Sequence, residues 1–121
     1  MSRVVSLDSG DVSAQGGPWA LHLYQREFSE PGSKADWYAD YVAAFSDFAI
    51  EGNVDPFFLL KTLWAMARNA DDSVPSYQKW LESVDCSMAL NEPWQLEVVS
   101  AINAEIFRRR VEEAGEGGGG L

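Results

Sequence analysis

The chain has 121 residues, 46% of them apolar and five of them tryptophan, which suits one self-supporting core and excludes a disordered polypeptide. Nineteen acidic against nine basic residues give a formal charge of −10, which argues against a protein that grips nucleic-acid phosphates or adheres to anionic membranes. The single cysteine, Cys86, rules out an internal disulfide and a cysteine-rich metal site, and fits a reducing cytoplasm.

The first segment, MSRVVSLDSGDVSAQGG, lacks the apolar run of a signal peptide, and no stretch reaches membrane-spanning length. Val4, Val5 and Leu7 predict a short strand, with Asp8-Ser9-Gly10 as a turn. After Gly16-Gly17-Pro18, Trp19, Leu21 and Leu23 alternate with Ala20, His22 and Tyr24, the period of a half-buried strand. Together these predict an antiparallel β-hairpin over about residues 3–28, closed by Pro31-Gly32-Ser33.

From Ser33 onward the periods are helical. Ser33 or Asp36 can cap a helix over about 35–50, in which Trp37, Tyr41, Phe45 and Phe48 or Ala49 share one side and Asp36, Asp40 and Asp47 the other. Glu51-Gly52-Asn53 ends it. Asp55-Pro56 starts the next, over about 56–69, with an acceptor at the cap and a proline where no N–H is needed. Its sequence, PFFLLKTLWAMAR, is apolar almost all round and predicts a central helix with Phe57, Leu60, Leu63 and Trp64 in the core. A short helix over about 75–84 carries Tyr77, Trp80, Leu81 and Val84 on one face. Asn91-Glu92-Pro93 opens the last, over about 93–112, with Trp94, Val98, Ile102 and Ile106 in a stripe and Arg108-Arg109-Arg110 in its final turn, where cations suit the helix dipole. The tail, GEGGGGL, has almost nothing to bury and is expected to be disordered. The expected fold is mainly α (α+β): one domain over 1–114, with a hairpin followed by about four helices around residues 56–69.

Groups capable of chemistry are few. His22 is the only histidine and has no partner in sequence, so it reads as a surface or packing residue. Cys86 stands beside Asp85, and acidic neighbours raise a thiol pKa, so a nucleophile is not expected. Asp71-Asp72 reads as a helix end and cap rather than a carboxylate pair. Asp36, Asp40, Asp47 and Glu51 read as a solvated face, because the Glu-x-x-His partner of a di-iron bundle is missing. The glycine run has no following Lys-Ser or Lys-Thr and so is no phosphate loop. These residues predict a protein that is not an enzyme and holds no metal or cofactor. Of the tryptophans, Trp64 and Trp80 are expected in the core. Trp19 and Trp94, at the starts of their elements, are expected to be the more exposed pair.

The run LLKTLWAMARNADDSVPSYQKWLESV resembles the central segment of the tail assembly chaperones of long-tailed, siphovirus-type phages and prophages. The matching parts are Leu63-Trp64-Ala65, the turn from Asn69 to Ser73, Pro75-Ser76-Tyr77 and Trp80-Leu81. The final helix, with Phe107 and its basic neighbours, is similar to the family's closing amphipathic segment; residues 1–34 show no likeness. The resemblance implies a chaperone of the host cytoplasm, absent from the mature virion. It would bind the tape measure protein, keep its apolar helices soluble and help recruit the major tail tube protein. It also implies a frameshift-extended form of the chain, for which Gly117 to Gly120 could mark the slip site; a flexible tail or a cloning remnant is the alternative. The exposed side of the last helix (Trp94, Phe107, Arg108) is the expected client-binding surface. An acidic inhibitor of the DNA-mimic, anti-restriction type is the alternative function.

Overall fold

The computed structural model describes residues 3–108 and, for residues 47–51, the backbone alone. It opens with the antiparallel pair β1 (Arg3–Leu7) and β2 (Gly10–Ala14), in a register running from Arg3 opposite Ala14 to Leu7 opposite Gly10. The connection is the two-residue turn Asp8-Ser9, which fixes the register of the hairpin. Val5, Leu7 and Ala14 point into the core while Val4, Ser6 and Ser13 face out, the alternation of a sheet with one covered face. The turn is tied down from afar: Ser9 N–H donates to the Asp85 carbonyl (3.1 Å) and Asp85 N–H to the Ser9 hydroxyl (3.0 Å).

The expected second strand over Trp19–Phe28 is instead a helix, α1 (Pro18–Phe28). The alternation of Trp19, Leu21 and Leu23 fits a strand, but Ala20, Leu23 and Tyr24 are buried and Phe28 is partly so, at i, i+3, i+4 and i+8. Gly17 and Pro18 are a start signal rather than a strand turn, with proline occupying the first helical position. The partner that β1 needs is the five-residue Gly10–Ala14, whose only strongly apolar member is Val12.

Four further helices follow: α2 (Trp37–Glu51), α3 (Pro56–Ala70), α4 (Tyr77–Ser83) and α5 (Pro93–Ala101). Asp36 caps α2, its Oδ1 accepting from Tyr38 N–H and Ala39 N–H, and Asp55 caps α3 by accepting from Phe57 N–H at 3.0 Å. Helix α3 is the centre of the fold, with α1, β2, α5, α2 and α4 packed on it. From Phe58 to Ala67 only Lys61 escapes burial. Its one buried polar side chain, Thr62, is satisfied by Trp37, whose Nε1–H donates to Thr62 Oγ1 at 3.0 Å. Leu60, Leu63, Trp64, Trp80, Val98 and Ile102 lie in the core, with Tyr77 and Leu81 partly buried against it.

Phe57 does not join them. It is 54% exposed, because the first turn of α3 faces the open mouth between α1 and α2 while Phe58 and Leu59 take the inward directions. The last helix also departs from expectation. After Ala101 the chain widens into a π-helical turn, Ile102–Ile106, closed by Phe107 N–H donating to the Ile102 carbonyl at 3.1 Å. Arg108 then takes a left-handed φ of 57°. The expected continuation over 109–112 and the glycine-rich tail lie outside the described residues. Among the described residues no helix is long and apolar enough to cross a membrane.

The link between β2 and α1 holds the two ends of the chain together. Asn69 donates its side-chain amide to the Gln15 carbonyl (2.8 Å) and the Gly16 carbonyl (3.3 Å), and Gln15 N–H donates to Met66 O (3.0 Å). Gly16 lies flat on the π-helical turn, where an added Cβ would sit 2.6 Å from Glu105 Cβ and 2.7 Å from its backbone. Gly17 has room for a Cβ but a φ of 122° that other residues rarely adopt. Gly16→Ala is therefore expected to lower unfolding free energy by about 2–3 kcal/mol through overpacking, and Gly17→Ala by about 1–3 kcal/mol through backbone strain. Chemical denaturation of the two variants checks both. Thr62→Val, which keeps the shape but strands the Trp37 indole N–H in the core, is expected to cost about 1–3 kcal/mol in the same assay.

Candidate interaction surface

The residues expected to form a client surface on the last helix do not form one. Trp94 is only 4% exposed. It starts α5 but points inward, and its Nε1–H donates to the Ser87 carbonyl at 2.7 Å, folding the preceding loop onto the helix. That inward position corrects the expectation that Trp94 is exposed. Phe107 is half-buried against Trp37 (5.8 Å between ring centres) and Tyr41 (5.2 Å), so it joins α5 to α2. Arg108 is exposed, with its guanidinium close to Gly17. Arg109 and Arg110 lie outside the described residues.

Other groups singled out in the sequence are placed as follows. His22 is exposed and stacks on the exposed Trp19 (5.0 Å). Cys86 is half-buried, and its thiol pKa is raised first by burial and then by Asp8 and Asp85, which suppresses the thiolate. Asp71 ends α3 and accepts from both the hydroxyl and the N–H of Ser73, which hold its carboxyl below the usual range. Of the acidic residues on α2, Asp36 serves as cap and Asp40 accepts from the Tyr24 hydroxyl at 2.7 Å; the side chains of Asp47 and Glu51 are outside the description. Among the described residues no cluster of three or more His, Cys, Asp or Glu side chains is placed to hold a metal ion.

What the fold does present is an apolar groove. Helices α2 and α5 both pack on α3. Phe107, after α5, meets Tyr41 of α2, and a cavity lies between Phe45 of α2 and the first turns of α5. It measures about 230 Å³, floored by Val54 and Leu59 and walled by Phe45, Leu96 and Val99. Elsewhere on α2, Val42 (62% exposed) and Tyr38 are also turned to solvent, although neither lines the cavity. Tyr38, Val42 and Phe45 fall at i, i+4 and i+7, a second apolar stripe beside the core stripe of Trp37 and Tyr41. On the α5 wall Leu96 is 60% exposed. The rim is rigid: Gln95 is buried, donates to the Ala89 carbonyl (2.9 Å) and accepts from Asn91 N–H (3.0 Å), which fixes the loop before α5. Leu90, on that loop, is also exposed. The groove was legible in part, since the Tyr38–Val42–Phe45 spacing is visible in sequence; that Leu96 stands opposite it is set by the tertiary packing alone.

On the other side of α2 is a recess of about 200 Å³ lined by Tyr24, Asp40, Asp55, Phe57, Phe58 and Lys61. Lys61 lies over the Phe28 ring, 5.1 Å from its centre. Burial first, and the adjacent Asp40 carboxylate second, push the Tyr24 phenol well above its ordinary value of 10.0. Above about pH 10 the folded chain therefore holds a proton that the unfolded chain releases, so stability falls as pH rises. Tyr24→Phe is expected to lose about 1 kcal/mol at neutral pH with the Asp40 bond, and to show a shallower decline in Tm from about pH 9 to about pH 11. Thermal unfolding across that range measures both; Tyr77, raised by burial and by Asp55, and Cys86, raised by burial and by Asp8 and Asp85, contribute to the slope that remains.

Compared with protein-family models, curated proteins and solved structures, the chain gives no significant match.

Proposed function

We propose that this is a non-enzymatic binding protein of the phage tail assembly chaperone type. It would act in the cytoplasm of a bacterial host on the apolar helices of a tape measure protein and help bring in the tail tube protein. The observation that carries the reading is the groove between α2 and α5, an apolar slot between two helices with a third beneath it. Such a slot suits the apolar face of another helix, taken up as side chains at i, i+3, i+4 and i+7. The acidic balance of the chain, with a formal charge of −10, supports the reading from a second side, since high net charge keeps a complex with an apolar client in solution. The resemblance of residues 59–84 to the family's central segment supports it from a third. In the fold that segment supplies most of α3, α4 and the turn joining them, and of its residues only Leu59 lines the groove.

Co-expression of the full chain with the long helical protein encoded beside it is the test. The chaperone reading expects the client to move from the insoluble to the soluble fraction and to co-purify with this protein. A client whose solubility is unchanged, and which leaves no bound protein behind, overturns it.

A further inference from the structure

The β-hairpin keeps one edge open. With a two-residue turn, the pairs that exchange main-chain hydrogen bonds are Leu7 with Gly10, Val5 with Val12 and Arg3 with Ala14. The N–H and C=O groups of Ser6 on β1, and of Asp11 and Ser13 on β2, therefore point away from the hairpin. Contacts at both edges agree with that parity. Ser6 N–H donates to Glu97 Oε1 at 2.7 Å, and Gln15, next in the outward series after Ser13, donates its N–H to the Met66 carbonyl at 3.0 Å. Among the described residues, the main-chain groups of Asp11 and Ser13 have no partner on that side. The edge borders a cavity of about 500 Å³ that separates residues 11–13 from the end of α3. Val12 beside the edge, and Ala67, Ala70, Val74 and Trp80 across from it, make the lining mostly apolar. Its charged lining residues are Asp11 and Asp71. Neither Lys79 nor Arg68 lines it; Arg68 donates to the Val74 carbonyl and lines the recess beside Leu23 and Trp64 instead. The strand is held at each end, by Gln15 on Met66 and by Ser9 on Asp85, so the open edge sits in a fixed frame.

We infer that the free edge of β2 docks an extended peptide as an antiparallel third strand, with an apolar side chain opposite Val12 and lysine or arginine beside it. Donors and acceptors that alternate along a strand edge are complemented by another extended backbone. In the added strand, the residue opposite Val12 points to the same face as Val12, into the apolar lining. Its two neighbours point to the other face, where Asp11 stands. A cation there pairs with Asp11 across the strands, and Asp71 on the far wall disfavours an acidic segment. A second copy of the chain is a poor occupant. Its own β2 edge lies behind the same wall of Ala70, Asp71 and Val74, so the two walls meet before the two edges do. The site is separate from the slot between α2 and α5, and the inference does not depend on the chaperone reading.

The test uses the full chain and synthetic peptides of about seven residues, the length of one strand, in which lysine and valine alternate. The first is unmodified and the second has glutamate for every lysine. The third carries N-methyl groups on the lysine amides, and the fourth carries them on the valine amides. With valine opposite Val12, the lysine amides face β2 and the valine amides face away. The unmodified peptide is expected to slow amide hydrogen exchange at Asp11 and Ser13 by at least about tenfold, with affinity falling as salt rises. Fluorescence anisotropy is expected to show the glutamate and N-methyl-lysine peptides binding at least about tenfold more weakly, and the N-methyl-valine peptide unimpaired. Ser13→Pro removes an outward N–H without touching a bond to β1, so it is expected to fold and to bind at least about tenfold more weakly. If circular dichroism shows that variant unfolded, Ala70→Arg, which fills the cavity and repels the lysines, replaces it. Absence of binding by the unmodified peptide overturns the proposal. So does equal binding of the glutamate or N-methyl-lysine peptide, or full binding by a folded variant. Slow exchange at Asp11 and Ser13 in the peptide-free chain also overturns it, because the edge is then already covered by the sequence beyond Arg108 or by a second copy. Each of these results leaves the co-expression test of the chaperone reading untouched.

Discussion

A helix buried on nearly every side sets the terms for the rest of this fold. Helix α3 can hide its apolar residues from Phe58 to Ala67 only if neighbours cover it all round, and α1, α2, α4, α5 and β2 each supply a part of that cover. At roughly 1.5–3 kcal/mol for each large apolar side chain fully buried, this is the dominant favourable contribution in a chain of this size. The same constraint explains the polar details. Thr62 is tolerated in the middle of α3 because Trp37 donates to it, and the Trp64 indole reaches the Pro75 carbonyl at 2.8 Å, which pins the turn between α3 and α4. Each buried polar side chain among the described residues has a partner. A core helix of this kind leaves no tolerance for stranded donors.

Two of the gaps left in that cover differ in character. Beside Phe57 the gap between α1 and α2 is polar, with Asp40, Asp55 and Lys61 around the buried Tyr24. Between α2 and α5 the gap is apolar, lined by Phe45, Leu96 and Val99 beyond the point where Phe107 meets Trp37 and Tyr41. The first gap is satisfied internally through the Tyr24–Asp40 hydrogen bond. The second leaves Leu96 with apolar surface turned to water, which a monomer in isolation gains nothing by keeping.

Much of the fold could be read from the chain because several signals are local. The Asp36 and Asp55 caps, the proline starts of α3 and α5, and the unbroken apolar character of α3 all act within a few residues of where they are seen. The second strand was misread because WALHLYQREF satisfies both a period of two and a helical spacing; what decides between them is the surface of α3 on which α1 lands, some forty residues later. Trp94 and Phe57 fail for a related reason. Position near a helix start suggests exposure for one, and an apolar run suggests burial for the other, yet each depends on what packs against that first turn. The π-helical turn has no sequence signature at all, and its consequence, Phe107 packed on Trp37, is set by tertiary packing alone. For the groove, one wall was readable as a stripe on α2 and the other was not.

The contacts that join the two ends of the chain also set an order of events. Ser6 N–H donates to Glu97 Oε1 at 2.7 Å, and Gly16 N–H to Glu105 Oε1 at 3.4 Å, pairs separated by 91 and 89 residues. Contacts of such high sequence separation close late in folding, after the local helices and the hairpin have formed. On the ribosome, α1 to α4 can assemble around α3 before α5 has emerged, but one wall of the groove is then still missing. The cavity between α2 and α5 is therefore among the last features to form, because Leu96 and Val99 arrive with the last helix.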